Sequence, residues 1–388
     1  MKGLLTILWQ YVGVAASAAL GANDHCYVSP NCAARNREEC TAPHTTCGPC
    51  LKPFVSDQGD FANEACVSVS LEGASAGMGV VPVIDISKLK HGTEAERGEV
   101  VAVMKAALTG PGFMYLSGSG VDAEPLLRDM RAFFARADED KAAYAWADPA
   151  ENSGYVRIGR EGLDEDADAG DPKESYDMNK KHMLASEVWS NSSAVGYWKT
   201  ANQLKEDVLR GYAIALGLDP DYFKEPHVEE WNTLRLLHYP AVVSNERYRV
   251  GPHSDYGTIT LLVQDEVGGL QVLDRVNGRW VNVPYVKNTV IVNTADLLMR
   301  WTNDKFPSTL HRIVGPGATD CTHELKASAS MDRYSIVFFV NPNMGHTVSN
   351  LIDDEDPKYP SVKSLDYLVQ RLSSTFDDDM QADDEKEL

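Results

Sequence analysis

Apolar and polar positions in the second half of the chain fall into short runs. Residues 258–263, 270–273, 280–283, 289–293, 311–314 and 333–340 are each four to eight residues long. They are rich in Val, Ile, Leu and aromatic residues, which predicts strands. Asn277-Gly278, between two of these runs, is a hairpin signal. Ahead of them, residues 233–239 place Arg235, Leu237 and Tyr239 on one strand face, with His238 on the other. Short strands and tight turns in this number predict a double-stranded β-helix, a jelly roll. The first half reads differently. Residues 94–108, 123–137 and 197–216 carry apolar stripes at helical spacing, and so does 365–372 near the C-terminus. Residues 81–87 and 112–116 read as buried strands. The expected class is therefore α+β, with a mainly β core flanked by helices. Ile259, Leu261, Trp280 and Phe338 are expected in the core, and Asp296 is expected to cap the helix that starts with Leu297.

Other stretches do not fit that core. Lys2 precedes an apolar run to Gly21 that ends among small residues, so residues 1–22 read as a secretory signal peptide. An uncleaved signal anchor is the alternative. Six of the seven cysteines (Cys26, Cys32, Cys40, Cys47, Cys50 and Cys66) fall in residues 23–66. An even set behind a signal peptide predicts a small disulfide-rich module with open pairing, a structural appendage or a docking site for a partner. Zinc at Cys47 and Cys50 ranks below this, because zinc needs thiolates that an oxidising compartment removes. Cys321 stands apart. Residues 67–80, rich in Ser, Gly and Ala, read as a linker. Residues 81–375 form the main domain, with an N-terminal helical and strand part at 81–190 and the jelly-roll core at 230–342. Residues 376–388 are an acidic tail. The expected address is the secretory pathway: endoplasmic reticulum lumen, organellar or secreted. Asn191-Ser192-Ser193 is a glycosylation sequon. A monomer with no membrane span after signal cleavage is expected.

Charge narrows the partners. The 388 residues carry 36 basic and 57 acidic side chains, a net charge of −21. Phosphate-rich partners would be repelled, which argues against nucleic acid or an anionic membrane as partner. The expected partner is a small-molecule substrate, on grounds of chemistry rather than charge.

The candidate chemistry lies between Gly251 and Pro342. His253 and Asp255 are two residues apart, so on an extended backbone both leave one face. His311 follows after several predicted strands. Two imidazoles and one carboxylate are the facial set of a non-haem Fe(II) oxygenase. Arg333 and Ser335 repeat the two-residue spacing, and a planar guanidinium beside a hydroxyl suits the far carboxylate of a dicarboxylic acid. The ordered text His253-Ser254-Asp255-Tyr256, Gly269-Leu270-Gln271-Val272, Gly278-Arg279-Trp280-Val281, Asn293-Thr294-Ala295-Asp296, Leu310-His311-Arg312 and Arg333-Tyr334-Ser335-Ile336 resembles the isopenicillin N synthase-like family of Fe(II)/2-oxoglutarate-dependent oxygenases.

That resemblance implies a dioxygenase with Fe(II) on His253, Asp255 and His311. It implies 2-oxoglutarate and O2 as cosubstrates, with ascorbate as a candidate auxiliary reductant. Arg333 and Ser335 would hold 2-oxoglutarate together with Tyr239, which matches the family's tyrosine before a proline, and Arg235, which matches a basic residue present in some members. The chain departs from the family's usual Asn-Tyr-Tyr-Pro at Leu237-His238-Tyr239-Pro240. Tyr155 and Arg157 fall where relatives line the barrel mouth and are expected to face substrate. The acidic loop after Glu161 is expected either as a solvated surface loop or as a lid. Hydroxylation, desaturation and ring closure stay open, as does the substrate. Two rivals are an oxidase of the same family that does not use 2-oxoglutarate, and a non-catalytic secreted binding protein.

Overall fold

The computed structural model describes residues 54–55, 67–68, 81–146, 152–162, 170–241, 248–315, 331–352 and 356–373. The apolar N-terminal run, all seven cysteines and the acidic tail lie outside the described residues. So does the expected linker, apart from its first two residues. Those form a strand, β2 (Val67–Ser68), paired antiparallel with β1 (Phe54–Val55).

From residue 81 helices and strands interleave. β3 (Val83–Asp85) and the short α1 (Ser87–His91) lead into α2 (Glu94–Thr109). Thr93 and Glu96 start α2 as a reciprocal cap: Glu96 N–H donates to Thr93 Oγ1 and Thr93 N–H to Glu96 Oε2. β4 (Phe113–Ser117) follows. The helix expected over 123–137 is α3 (Glu124–Phe134), and the short α4 (Asp138–Ala142) follows it after Ala137, which is extended. Next come β5 (Gly154–Val156), β6 (Glu174–Met178), α5 (Lys180–Ala185) and α6 (Ser193–Leu216). Ser192 caps α6, and Gly217 ends it in the left-handed region (φ +78°).

The core strands then run β7 (Thr233–Tyr239), β8 (Tyr248–His253), β9 (Ile259–Gln264), β10 (Leu270–Asp274), β11 (Arg279–Asn282) and β12 (Val290–Thr294). After α7 (Asp296–Trp301) come β13 (His311–Val314), β14 (Arg333–Val340), β15 (Thr347–Val348), β16 (Val362–Lys363) and α8 (Ser364–Ser373). β10 and β11 join through four residues rather than a two-residue turn. Asp274 faces Arg279, and its carboxylate accepts from the N–H groups of Val276 and Asn277.

Eight strands form one sheet in the order β3-β4-β12-β9-β14-β7-β6-β5, and four form a second, β11-β10-β13-β8. Apart from the parallel pair β3 and β4, both sheets are antiparallel. Alternation along β7 shows how they pack. Leu234 and Leu236 join Met104, Phe133, Trp198 and Phe338 in a cluster between the large sheet and the helices. Leu237 and Tyr239 join Leu262, Leu270, Val272, Ile313 and Val337 in a second cluster between the sheets. Burying each large apolar side chain contributes roughly 1.5–3 kcal/mol, so the two clusters hold the sheets in one register. This two-sheet, sheet-rich core with outer helices agrees with a jelly roll. Ile259, Leu261 and Phe338 are buried as expected. Trp280 is only partly buried and lies over the Arg312 guanidinium at 4.1 Å. Among the described residues no helix is long and apolar enough to cross a membrane.

Candidate active site

The small sheet brings the two histidines together. β13 pairs antiparallel with β8, and the register sets His311 opposite His253. Asp255 lies two residues past the end of β8. One ligand atom from each of the three side chains falls within 4.8 Å of the others, a grouping able to hold a metal ion. His253 Nδ1 is 2.9 Å from Gly251 O, and His311 Nδ1 is 3.2 Å from Thr309 O. A carbonyl oxygen can only accept, so each Nδ1 carries its hydrogen and each Nε2 keeps a free lone pair for a metal. Asp255 is oriented in the same way. Its Oδ2 accepts from Thr260 Oγ1 and Asn293 Nδ2, both at 2.6 Å, while Oδ1 lies 3.7 Å from His311 Nε2. Burial drives the His253 pKa down to about 3, with His311 adding to the shift, so the imidazole is neutral. Burial would raise the Asp255 carboxyl, but His311, His253 and its two hydrogen-bond donors hold it below the usual carboxylate range. Two imidazoles and one carboxylate suit Fe(II).

Tyr239, Arg333 and Ser335 occupy the large sheet beside this cluster. Arg333 on β14 faces Tyr239 on β7, its guanidinium 4.7 Å from the ring centre. Its Nη1 donates to Ser335 Oγ (3.1 Å), Nε to Gly268 O (2.6 Å) and Nη2 to Gln264 Oε1 (3.2 Å). All three side chains are buried. They fit one carboxylate as an arginine with two hydroxyl neighbours.

Three expectations change. Arg235 is not with Arg333. It faces Val337, four residues along β7, and donates Nε and Nη2 to Asp177 (2.6 and 2.7 Å) and Nη1 to Glu161 (2.9 Å). Spacing within β7 gives no sign of this, because both acids come from elsewhere in the chain. Tyr155 is buried against Phe133, and its hydroxyl donates to Glu174, so it packs behind the large sheet rather than facing a substrate. Arg157, past the end of β5, is exposed. The role expected of Asp296 changes too. Ala295 precedes α7 as its cap, and buried Asp296 instead accepts from Arg371 Nη1 (2.7 Å), Tyr367 (3.1 Å) and Ser254 (3.2 Å). His238 is structural, as expected: Nδ1 lies 2.7 Å from Glu174 Oε1 and the ring stacks on Tyr334.

Beside His253 and Asp255 a cavity of about 70 Å³ is lined by Glu161, Arg235, Tyr256, Phe339, Leu368 and Leu372, among others. Glu161 begins the acidic loop; residues 163–169 of that loop lie outside the described residues. Burial would raise the Glu161 carboxyl, but Arg235 and Lys173 pull it down to about 2. Its Oε2 is ion-paired with Lys173 Nζ at 3.1 Å and has no further hydrogen-bond partner among the described residues. The sequence offers no motif for Glu161, Asp177 or Lys173. Their assembly depends on the pairing of β6 with β7, which sets Asp177 opposite Arg235.

Comparison with known proteins agrees with this geometry. Residues 231–342 match the 2OG-Fe(II) oxygenase superfamily, and residues 81–200 match the N-terminal region described as "non-haem dioxygenase in morphine synthesis". The chain is 30% identical over 332 residues to the 2-oxoglutarate-Fe(II) type oxidoreductase ppzD of Metarhizium rileyi, covering 77% of this chain and 92% of that one. It is 30% identical to the 2-oxoglutarate-Fe(II) type oxidoreductase hxnY of Emericella nidulans, covering 72% and 86%. Among solved structures it is similar to a full-length Neurospora crassa protein crystallised in complex with alpha-KG. That match has 32% identity and a TM-score of 0.67, and covers 77% of this chain and 98% of that one. For the same Neurospora crassa protein with alpha-KG and thymine the values are 33%, 0.63, 78% and 99%.

Proposed function

The chain belongs to the 2OG-Fe(II) oxygenase superfamily, and from that premise we propose that it hydroxylates a small, uncharged heterocycle carrying hydrogen-bonding groups. The enzyme is an Fe(II)- and 2-oxoglutarate-dependent dioxygenase; the comparisons support this over an oxidase independent of 2-oxoglutarate or a non-catalytic binder. When bound, Fe(II) and 2-oxoglutarate supply the oxidant: O2 and 2-oxoglutarate yield succinate and carbon dioxide, and one oxygen atom enters a substrate C–H bond. His253, Asp255 and His311 would hold the metal, and Arg333, Ser335 and Tyr239 the far carboxylate. The remaining side chains position a substrate and keep water away.

The observation behind the substrate class is the ion pairing of Glu161 and Arg235, which line the cavity, with Lys173, Asp171 and Asp177, which do not. Arg235 and Lys173 face three carboxyls, Glu161, Asp171 and Asp177. Burial raises the pKa of both Asp171 and Asp177, while Lys173 and Arg235 oppose the rise. Both cations are already ion-paired, so an anionic substrate would be buried without a free counter-charge, which is costly. Glu161 Oε2 stands as an acceptor for a substrate N–H, with the Tyr256 and Phe339 rings beside it. The complex of a similar protein with thymine points to the same class. A panel of pyrimidines, other neutral heterocycles and amino acids, scored by substrate-dependent succinate release, tests this. Coupled turnover with a neutral heterocycle, and a raised KM in Glu161→Gln, are expected. Coupled turnover only with a permanently charged amino acid would overturn the class.

We also propose that residues 81–375 act as one monomeric catalytic domain in the secretory pathway. The support is the pattern of residues 1–22, the six clustered cysteines, whose disulfide-rich module would be an appendage or a partner site, and the exposed sequon residue Asn191.

A further inference from the structure

The end of the barrel that carries Arg333 holds a second buried guanidinium. Arg249, on β8, is fully buried. Its Nη2 donates to Pro240 O and Met331 O, both at 2.6 Å, and to Tyr239 O at 3.3 Å. Its Nε and Nη1 have no hydrogen-bond partner among the described residues. Those two nitrogens carry three of the five N–H donors of the group. Arg249 and Arg333 also share a neighbour, since their guanidinium carbons lie 5.9 and 4.7 Å from the centre of the Tyr239 ring.

Two buried like charges this close need an anion. The hydrogen bonds of Arg333 go to a carbonyl, a hydroxyl and an amide oxygen, all neutral. Among the described residues neither guanidinium forms an ion pair. Asp265 and Asp332 act on Arg249 only from a distance, and their oxygens accept from the backbone N–H groups of Tyr334, Val267 and Ala241. Burial and the nearby Arg333 together pull the Arg249 pKa down to about 10. The pair is thus costly to hold without a ligand, and a carboxylate would relieve both the repulsion and the unpaired donors.

We propose that Arg249 is a second binding residue for 2-oxoglutarate, acting with Arg333 on the far carboxylate above the Tyr239 ring. This rests on the assignment of Arg333 to that carboxylate. A merely structural Arg249, tying Tyr239 and Pro240 to Met331, would lower stability without distinguishing one keto acid from another.

Calorimetric titration separates these roles without turnover. The protein, loaded with Mn(II) as a redox-silent metal, is titrated with 2-oxoglutarate and with 2-oxopentanoate, which has the same chain length but no far carboxylate. Arg249→Met is expected to weaken 2-oxoglutarate binding at least tenfold and to leave 2-oxopentanoate within about twofold. Arg249→Lys should keep part of the preference, and if the Met variant does not fold, Arg249→Gln against Arg249→Lys makes the same comparison. A preference for 2-oxoglutarate that survives in Arg249→Met but collapses in Arg333→Met overturns the role of Arg249 and leaves that of Arg333 standing. A preference unchanged in both variants overturns the Arg333 assignment as well. Equal weakening of both keto acids in Arg249→Met assigns Arg249 to structure alone and overturns the proposal.

Discussion

At the scale of single residues the site depends on groups one step behind the metal-binding atoms. Thr260 and Asn293 both donate to Asp255 Oδ2 and so hold Oδ1 toward the two imidazoles. Thr260→Val and Asn293→Ala are each expected to weaken Fe(II) binding about 10- to 100-fold with the fold intact, measured by anaerobic metal titration beside circular dichroism. His227 sets a pH limit. It is fully buried, with Nδ1 2.7 Å from Phe223 O and Nε2 2.9 Å from Thr258 Oγ1. Burial depresses its pKa to about 3. Below about pH 6.5 the unfolded chain takes up a proton that the folded chain refuses until about pH 3. Stability is therefore full above pH 6.5 and falls with pH across that window, by about 1.4 kcal/mol per pH unit for this group. Thermal melts should show the decline, and His227→Gln should flatten it by about one proton. The pairs His253/Asp255 and Arg333/Ser335 can be read from two-residue strand spacing, whereas His311 and Tyr239 are legible through the ordered family resemblance. Sequence does not place Arg235, because only tertiary pairing supplies Asp177 and Glu161. Nothing local distinguishes Arg249 from any strand arginine.

At the scale of elements, α8 was legible as a helix but its destination was not. Its apolar spacing says that one side is buried and does not say against what. Leu368 and Leu372 line the cavity beside His253 and Asp255. Arg371 joins the helix to Asp296 at the start of α7 and lies over the Tyr256 ring at 4.3 Å. This contact holds α8 against the cavity beside His253 and Asp255. Arg371→Ala should cost on the order of 1–3 kcal/mol of stability, because it leaves the buried Asp296 carboxylate with two hydroxyl donors and no cation. Its larger effect is expected on coupling: more succinate per oxidised substrate, and a higher substrate KM with the 2-oxoglutarate requirement unchanged. Succinate and product, quantified in the same reaction, give that ratio. The β10–β11 connection shows a different limit of sequence reading. Asn277-Gly278 marks a turn correctly, but the Asp274 carboxylate organises two backbone N–H groups and lengthens it to four residues.

At the scale of the whole molecule, the division into a sheet core with outer helices could be read from periodicity, because strand and helix spacings differ. The face each strand gives to the second sheet could not be read in the same way, since β7 is buried on both sides. The proposed secretory address has its own test. Asn191 is exposed immediately before the capping residue of α6, so protein made in a glycosylating host should lose mass at that residue on treatment with an N-glycosidase. Protein retained in the cytosol of that host, with Asn191 unmodified and residues 1–22 still attached, would count against the address. The measurement that reaches furthest is anaerobic titration of the purified protein with Fe(II), with and without 2-oxoglutarate, followed by visible absorption. A weak charge-transfer band is expected that requires both components and disappears in His311→Ala. Iron binding without that band, or a band that persists in His311→Ala, would contradict the assignment of His253, Asp255 and His311 as the centre of an Fe(II)/2-oxoglutarate enzyme.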